Sequence, residues 1–296
     1  MLCQLPMTDR TRWFQGLALG VLVAALAALY FRPFIDLVGI WFADDNLSHS
    51  FLLVPVIAYL VWARRAKLAA TERRPTNLGL ALVLVSLLML LIGTAGVEFF
   101  LMRVSAVGVL VGTLLYLAGW PWLRILIFPI SLTLLVIPIP PVIFYQITFP
   151  LQVMATRFGV AALELAQIPV LREGNVIWLS HTTLEVTEAC SGIRSLLSLF
   201  TLAVLYGYFT DPRPPARVVI ALSSVPIAIL ANGLRIAGTG MAAQYIGPQA
   251  ATGFFHSFSG WVVFMTSLVM LLAVANAVRL LPFSPIRLQQ PEPSIS

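Results

Sequence analysis

Eight apolar runs, candidate membrane spans of which only the second is short unless it starts within the polar run before it, dominate this chain and leave a soluble fold almost no room. A transmembrane helix needs about 20 mainly apolar residues. The runs are Phe14–Phe31, Phe51–Ala63, Leu78–Val97, Val104–Gly119, Leu123–Ile137 and Ser191–Phe209, then one from Val218 past Arg235, and Gly260–Leu281. The cluster Pro138, Pro140 and Pro141 ends the fifth. Only 10% of the 296 residues are charged, where a soluble domain carries about 25%. Such a chain cannot coat a water-facing surface, so lipid must be its solvent.

The stretch 138–190 breaks the pattern. Phe144–Ala166 reads as an interfacial or amphipathic helix. Short strands are expected on either side of Glu173-Gly-Asn175, with a third at Thr183–Thr187. The predicted class is therefore an all-α polytopic membrane protein of about eight spans. A small hairpin-like β insert sits on one membrane face before the sixth span. Residues 13–281 form the membrane domain, and 282–296, rich in proline, read as a short disordered tail.

Charge orients the spans. With the N-terminus inside, the inner segments hold twelve of the 18 cations, Arg64 to Arg74 foremost, against four acids, a net +8. The outer segments hold six cations and eight acids, a net −2. Cationic loops stay in the cytoplasm, so both termini are expected inside. The net +6 of the chain thus reports orientation, and no nucleic-acid partner is expected.

That orientation brings three chemically distinctive residues to the outer face. Cys190 begins the sixth span in Glu188-Ala-Cys-Ser-Gly-Ile-Arg194, where helix-start N–H groups and Arg194 favour a thiolate. A small cysteine that merely packs is the alternative. Arg235, in Asn232-Gly-Leu-Arg, interrupts an apolar span and shares a helical face with Asn232. An intramembrane arginine costs about 2.5–3.5 kcal/mol on insertion scales and marks a functional site by default; snorkelling to the headgroups is its alternative. His256 stands in Gly253-Phe-Phe-His-Ser-Phe-Ser-Gly260, just before the eighth span. Cysteine with histidine is the minimal set for thiol nucleophilic catalysis, and arginine is a fixed cation for an oxyanion. His49 and His181 also lie outside, so topology alone leaves the histidine open. No His-Glu-x-x-His or paired Cys-x-x-Cys occurs, so no metal or other cofactor is expected.

Taken together, Glu188-Ala-Cys-Ser-Gly-Ile-Arg194, Asn232-x-x-Arg235 and Gly253-Phe-Phe-His256 resemble the exosortase family of Gram-negative bacteria. Asp44-Asp-Asn-Leu-Ser-His-Ser50 and Ile168-Pro-Val-x-Arg-Glu-Gly-Asn175 resemble that family's early outer loop and the segment before its cysteine motif. The resemblance implies an inner-membrane cysteine endopeptidase or transpeptidase with its site facing the periplasm. Cys190 would be the nucleophile, Arg235 the oxyanion stabiliser and His256 the general acid/base, supported by Arg194, Glu188 and Asn232. The implied substrates are exported proteins ending in a Pro-Glu-Pro (PEP-CTERM) signal, one transmembrane helix and a basic tail, in an exopolysaccharide-associated setting. Two rival classes are a transporter or flippase, and a membrane lipid or glycan transferase. The first would line a route with charge, whereas these charges gather at one face. The second would bring acidic metal-binding pairs, of which Asp44-Asp45 is the only example.

Overall fold

Apolar runs in hydrocarbon must satisfy their backbone internally, and helices dominate this protein accordingly. The computed structural model describes residues 7–180, 183–185, 193–247 and 253–281. The tail expected from residue 282 onward lies outside the described residues. The helices are α1 (Met7–Ala43), α2 (Ser50–Ala63), α3 (Arg65–Ala69), α4 (Leu78–Ala95), α5 (Phe99–Leu117), α6 (Trp120–Leu134), α7 (Pro141–Leu165), α8 (Ile193–Thr210), α9 (Pro214–Tyr245) and α10 (Gly253–Leu280). Among the described residues, five helices are long and apolar enough to cross a membrane: α1, α4, α5, α9 and α10. Two shorter apolar helices, α2 and α6, accompany them. The protein is a multi-pass membrane protein.

Contacts divide the chain into two units, Met1–Asp44 with Ser50–Pro138, and Asp45–His49 with Ile139–Ser296. In the first, α4 and α5 form a tight hairpin. Gly79 lies against the backbone of Tyr116, and Gly112 against Val83. Small residues let membrane helices approach to backbone contact where no hydrophobic force drives them together. Glu98 caps α5 by accepting from the Leu101 N–H at 2.7 Å. The Trp41 indole donates to the Val136 carbonyl at 3.0 Å, tying the end of α1 to the end of α6. Here the structure corrects one sequence expectation. The first helix does not stop at Phe31; it passes Pro33 and runs to Ala43, so Arg32 and Asp36 are helical. Proline removes one backbone bond, but the apolar residues beyond it, from Phe34 to Trp41, keep the helix favourable in hydrocarbon.

In the second unit, α9 is the central element. The contact Gly207–Arg217 and the turn at 211–213 set α8 antiparallel to it. Leu199, Ala203, Ile220, Ala228, Leu271 and Ala275 form the core shared by α8, α9 and α10. α7 packs on the opposite flank. Gly233 meets Ala155 and Phe158, Gly159 meets Ile236, and Gly240 meets Leu163. The partners advance together along both helices, so α7 and α9 run parallel. The stretch read from sequence as an interfacial or amphipathic helix is helical, and over these contacts its axis follows α9. The small residues Ala155, Gly159, Gly233 and Gly240 make that close seam possible.

The β insert is a three-stranded antiparallel meander of β1 (Val170–Glu173), β2 (Val176–Leu179) and β3 (Thr183–Glu185). Gly174, at φ +65°, makes the first turn. Ile177 and Leu179 point into clusters built from α7 and α9, among them Ala155, Leu163, Ile236 and Ala237. The strands follow the predicted positions, with their apolar face held by the helices.

Candidate active site

The packing of the second unit fixes which element ends meet. α7 and α9 are parallel, and α8 is antiparallel to α9. α10 runs back as well: Ser259 meets Arg235, while the Arg213 guanidinium donates to the Val278 and Leu281 carbonyls. The end of α7, the start of α8, the end of α9 and the start of α10 therefore share one end of the unit. Arg235 on α9 and position 256 on α10 lie in elements that share that end.

Arg235 is half-buried on α9. Its Nε–H donates to the Ser259 hydroxyl at 3.3 Å. Gly260 lies directly beside the guanidinium; a Cβ there would stand 3.4 Å from it. The absence of a side chain at 260 lets α10 come this close to a large cation. Arg235 and Ser259 also line a cavity of about 370 Å³ between α9 and α10, otherwise walled by residues such as Leu234, Ala242, Phe258 and Val262. Leu234, 63% exposed, and Phe258, 50%, form its outward rim. An arginine in a largely apolar recess has less water to screen it, which strengthens its pull on a developing negative charge.

Asn232 lies one turn before Arg235 and is 1% exposed. Neither its amide nitrogen nor its amide oxygen has a hydrogen-bond partner among the described residues. Arg194 occupies the first turn of α8, with an exposed side chain. The 3-10 turn Asp45–Leu47 packs against α8, and His49, just beyond it, is buried. The centre of the early loop motif, Asp45–His49, thus belongs to the same unit as α8 and α9.

Cys190 and Glu188 lie outside the described residues, as does His181. His256 is placed as a position in the first turn of α10, three residues before Ser259. Residues three apart share a helical face, so the contact that joins Arg235 to α10 falls on the face that carries position 256. Sequence reasoning passed over Ser259, although it stands inside the quoted motif. A serine in a membrane helix ordinarily bonds its own backbone, as Ser267 does to the Val263 carbonyl at 2.8 Å, and nothing in the sequence marks Ser259 as one that also meets an arginine.

Among the described residues, no group of three or more histidine, cysteine or carboxylate side chains is disposed to hold a metal ion. No curated protein and no solved structure matches the chain. A sequence model described as transmembrane exosortase matches residues 41–273, most of the chain, from the last turn of α1 into α10. The chain belongs to the transmembrane exosortase family.

Proposed function

We propose that this protein is a membrane-embedded cysteine endopeptidase or transpeptidase that cleaves C-terminal Pro-Glu-Pro sorting signals at the periplasmic face of the inner membrane. The observation that carries the reading is the Arg235–Ser259 contact, which ties the arginine motif of α9 to α10 one turn from position 256. In the sequence the cysteine motif immediately precedes α8, a helix that begins at that end of the unit.

His256 takes up the Cys190 thiol proton, and the resulting thiolate attacks a backbone carbonyl of the substrate. Negative charge builds on the carbonyl oxygen, where the Arg235 guanidinium stabilises it. The tetrahedral intermediate collapses as the C–N bond breaks, and His256 gives its proton to the leaving amine. A thioester remains on Cys190. An amine, a hydroxyl or water then attacks the thioester, releasing the product and restoring the thiol. Arg194, Glu188 and Asn232 support the three reacting groups. The apolar cavity beside Arg235, open at Leu234 and Phe258, supports lateral approach of a membrane-tethered substrate.

The test is co-expression with a secreted reporter ending in Pro-Glu-Pro, an apolar helix and a basic tail, with intact mass of the product as readout. Wild-type chain should release a shortened reporter whose added mass identifies the acceptor. Cys190→Ser keeps the size of the side chain but loses the ready thiolate, so uncleaved reporter should accumulate. Normal processing by Cys190→Ser ends the nucleophile assignment.

A further inference from the structure

A second cation in an apolar setting belongs to the first unit, whereas the residues proposed for catalysis belong to the second. Arg103 is the fifth residue of α5 and only 7% exposed. Its Nε–H has no hydrogen-bond partner among the described residues. No carboxylate pairs with it there; Asp36 and Glu98 act on it through space only. Glu98 is engaged in capping α5, and Asp36 is exposed. The closest aromatic contact, with Phe99, is a distant 5.6 Å to the ring centroid. A guanidinium carries five donors, and hydrocarbon satisfies none of them.

The side chain lines a cavity of about 310 Å³ walled by α1, α2, α5 and α6, with Pro33, Leu37, Ile57 and Ile137 among its apolar residues. The other polar groups of the lining are already bonded. Tyr30 pairs with Ser105 at 3.0 Å, Trp41 with the Val136 carbonyl, and Thr133 with the Ile130 carbonyl at 2.6 Å. Arg103 alone, among the described lining residues, presents a buried unused donor. Phe34, 59% exposed, and Val54, 45%, form the rim, so the cavity opens onto a surface that lipid solvates. Arg103 stands about 6 Å along the axis from the first residue of α5, the depth at which a helix end meets headgroups.

We propose that this cavity is a phospholipid site. Phosphodiester oxygens accept hydrogen bonds from Arg103 while an acyl chain lies along the apolar wall. The two carboxylates near the guanidinium favour a zwitterionic headgroup, whose cation they attract, and disfavour a free phosphate dianion. The site does not depend on the cysteine chemistry.

The test is native mass spectrometry of the full chain in mild detergent, titrated separately with dioctanoyl phosphatidylcholine, dioctanoylglycerol and inorganic phosphate. Wild-type protein should hold one phospholipid about tenfold more tightly than the phosphate-free diacylglycerol, and should hold no inorganic phosphate. Arg103→Gln should weaken the phospholipid about tenfold or more, the usual effect of losing a charge-assisted hydrogen bond. Arg103→Lys should recover part of it. Ala106→Phe, which fills the cavity while leaving the arginine in place, should abolish the tight site; it decides the matter if Arg103→Gln fails to accumulate. Equal binding of phospholipid and diacylglycerol, or wild-type binding by Ala106→Phe, would mean non-specific annular lipid and overturn the proposal. Saturable binding of inorganic phosphate alone would overturn the lipid assignment.

Discussion

At the scale of single residues, the chain separates signals that sequence carries from those it does not. Arg235 and Asn232 were legible because a charge and an amide interrupt an apolar helix, where each costs free energy that some function must justify. Ser259 was not, because a hydroxyl in a membrane helix costs little and so carries no signal that it also meets an arginine. Its contact with Arg235 leads to a prediction about positioning. The Ser259 hydroxyl accepts from Nε and so helps to fix the orientation of the planar guanidinium fork. Ser259→Ala should lower kcat about tenfold and change KM little, and Ser259→Thr should restore it, in single-turnover cleavage of a reporter peptide. An equal fall in accumulation and activity would mark the serine as structural only. Arg235→Lys keeps the charge but not the fork, and should lose most processing while the protein accumulates normally in membranes. Full activity in the lysine variant would favour a cation that merely reaches for headgroups.

At the scale of elements, helices were recovered from hydropathy because length and apolarity suffice to define them. Two features were not. α1 runs past the polar residues Arg32 and Asp36, since the apolar chain beyond Pro33 gains more as helix than one lost backbone bond costs. The seam between α7 and α9 was the second, since Gln152, Thr156 and Arg157 dilute the apolarity of α7. Yet its Ala155 and Gly159 form the seam with α9, and glycine packing leaves little trace in hydropathy. The α8–α9 turn offers a test at this scale. Asp211 is 2% exposed and receives the Arg213 guanidinium at 2.8 and 3.0 Å. Those hydrogen bonds hold its carboxyl at about 2, below the ordinary 3.8. The unfolded chain therefore takes up the proton first as pH falls. The pair's stabilisation is complete above the unfolded value near 3.8 and is lost as pH drops through about 2. Asp211→Asn should lower the thermal midpoint in detergent at pH 7 by the equivalent of about 1–3 kcal/mol. The deficit relative to wild type should shrink between pH 4 and pH 2. A deficit constant across that range would mean that packing, and not the ion pair, holds the turn.

At the scale of the whole molecule, the distribution of charge makes the most exposed claim, that the candidate site faces the periplasm. Within the second unit, the end opposite the site carries Arg213, Arg217 and Arg279. Arg217 lies over the Tyr208 ring at 4.8 Å, and Arg279 over Tyr206 at 5.7 Å. Arginine backed by tyrosine is the usual furniture of a membrane–water boundary, and cations gather on the cytoplasmic one. The first unit shows the same pairing where Arg65 covers Trp62 at 3.8 Å and Arg73 faces Trp122 at 5.1 Å, within the basic segment between α2 and α4 and the start of α6. Reporter fusions read this directly. Alkaline phosphatase, active only after export, should be active when fused after Gly247, beyond the end of α9. It should also be active after Gln167, because α7 ends at the same end of the unit as α9. Fused after Pro214, at the start of α9, it should be inactive, and a fluorescent protein that folds only in the cytoplasm should glow there instead. The Gln167 and Gly247 fusions must agree with each other if α7 and α9 run parallel in the membrane as they do in the structure. Disagreement between them would break the arrangement that gathers the site at one end. Agreement with both signs reversed would keep the arrangement but place the site in the cytoplasm, where a protease for exported proteins has no substrate to meet.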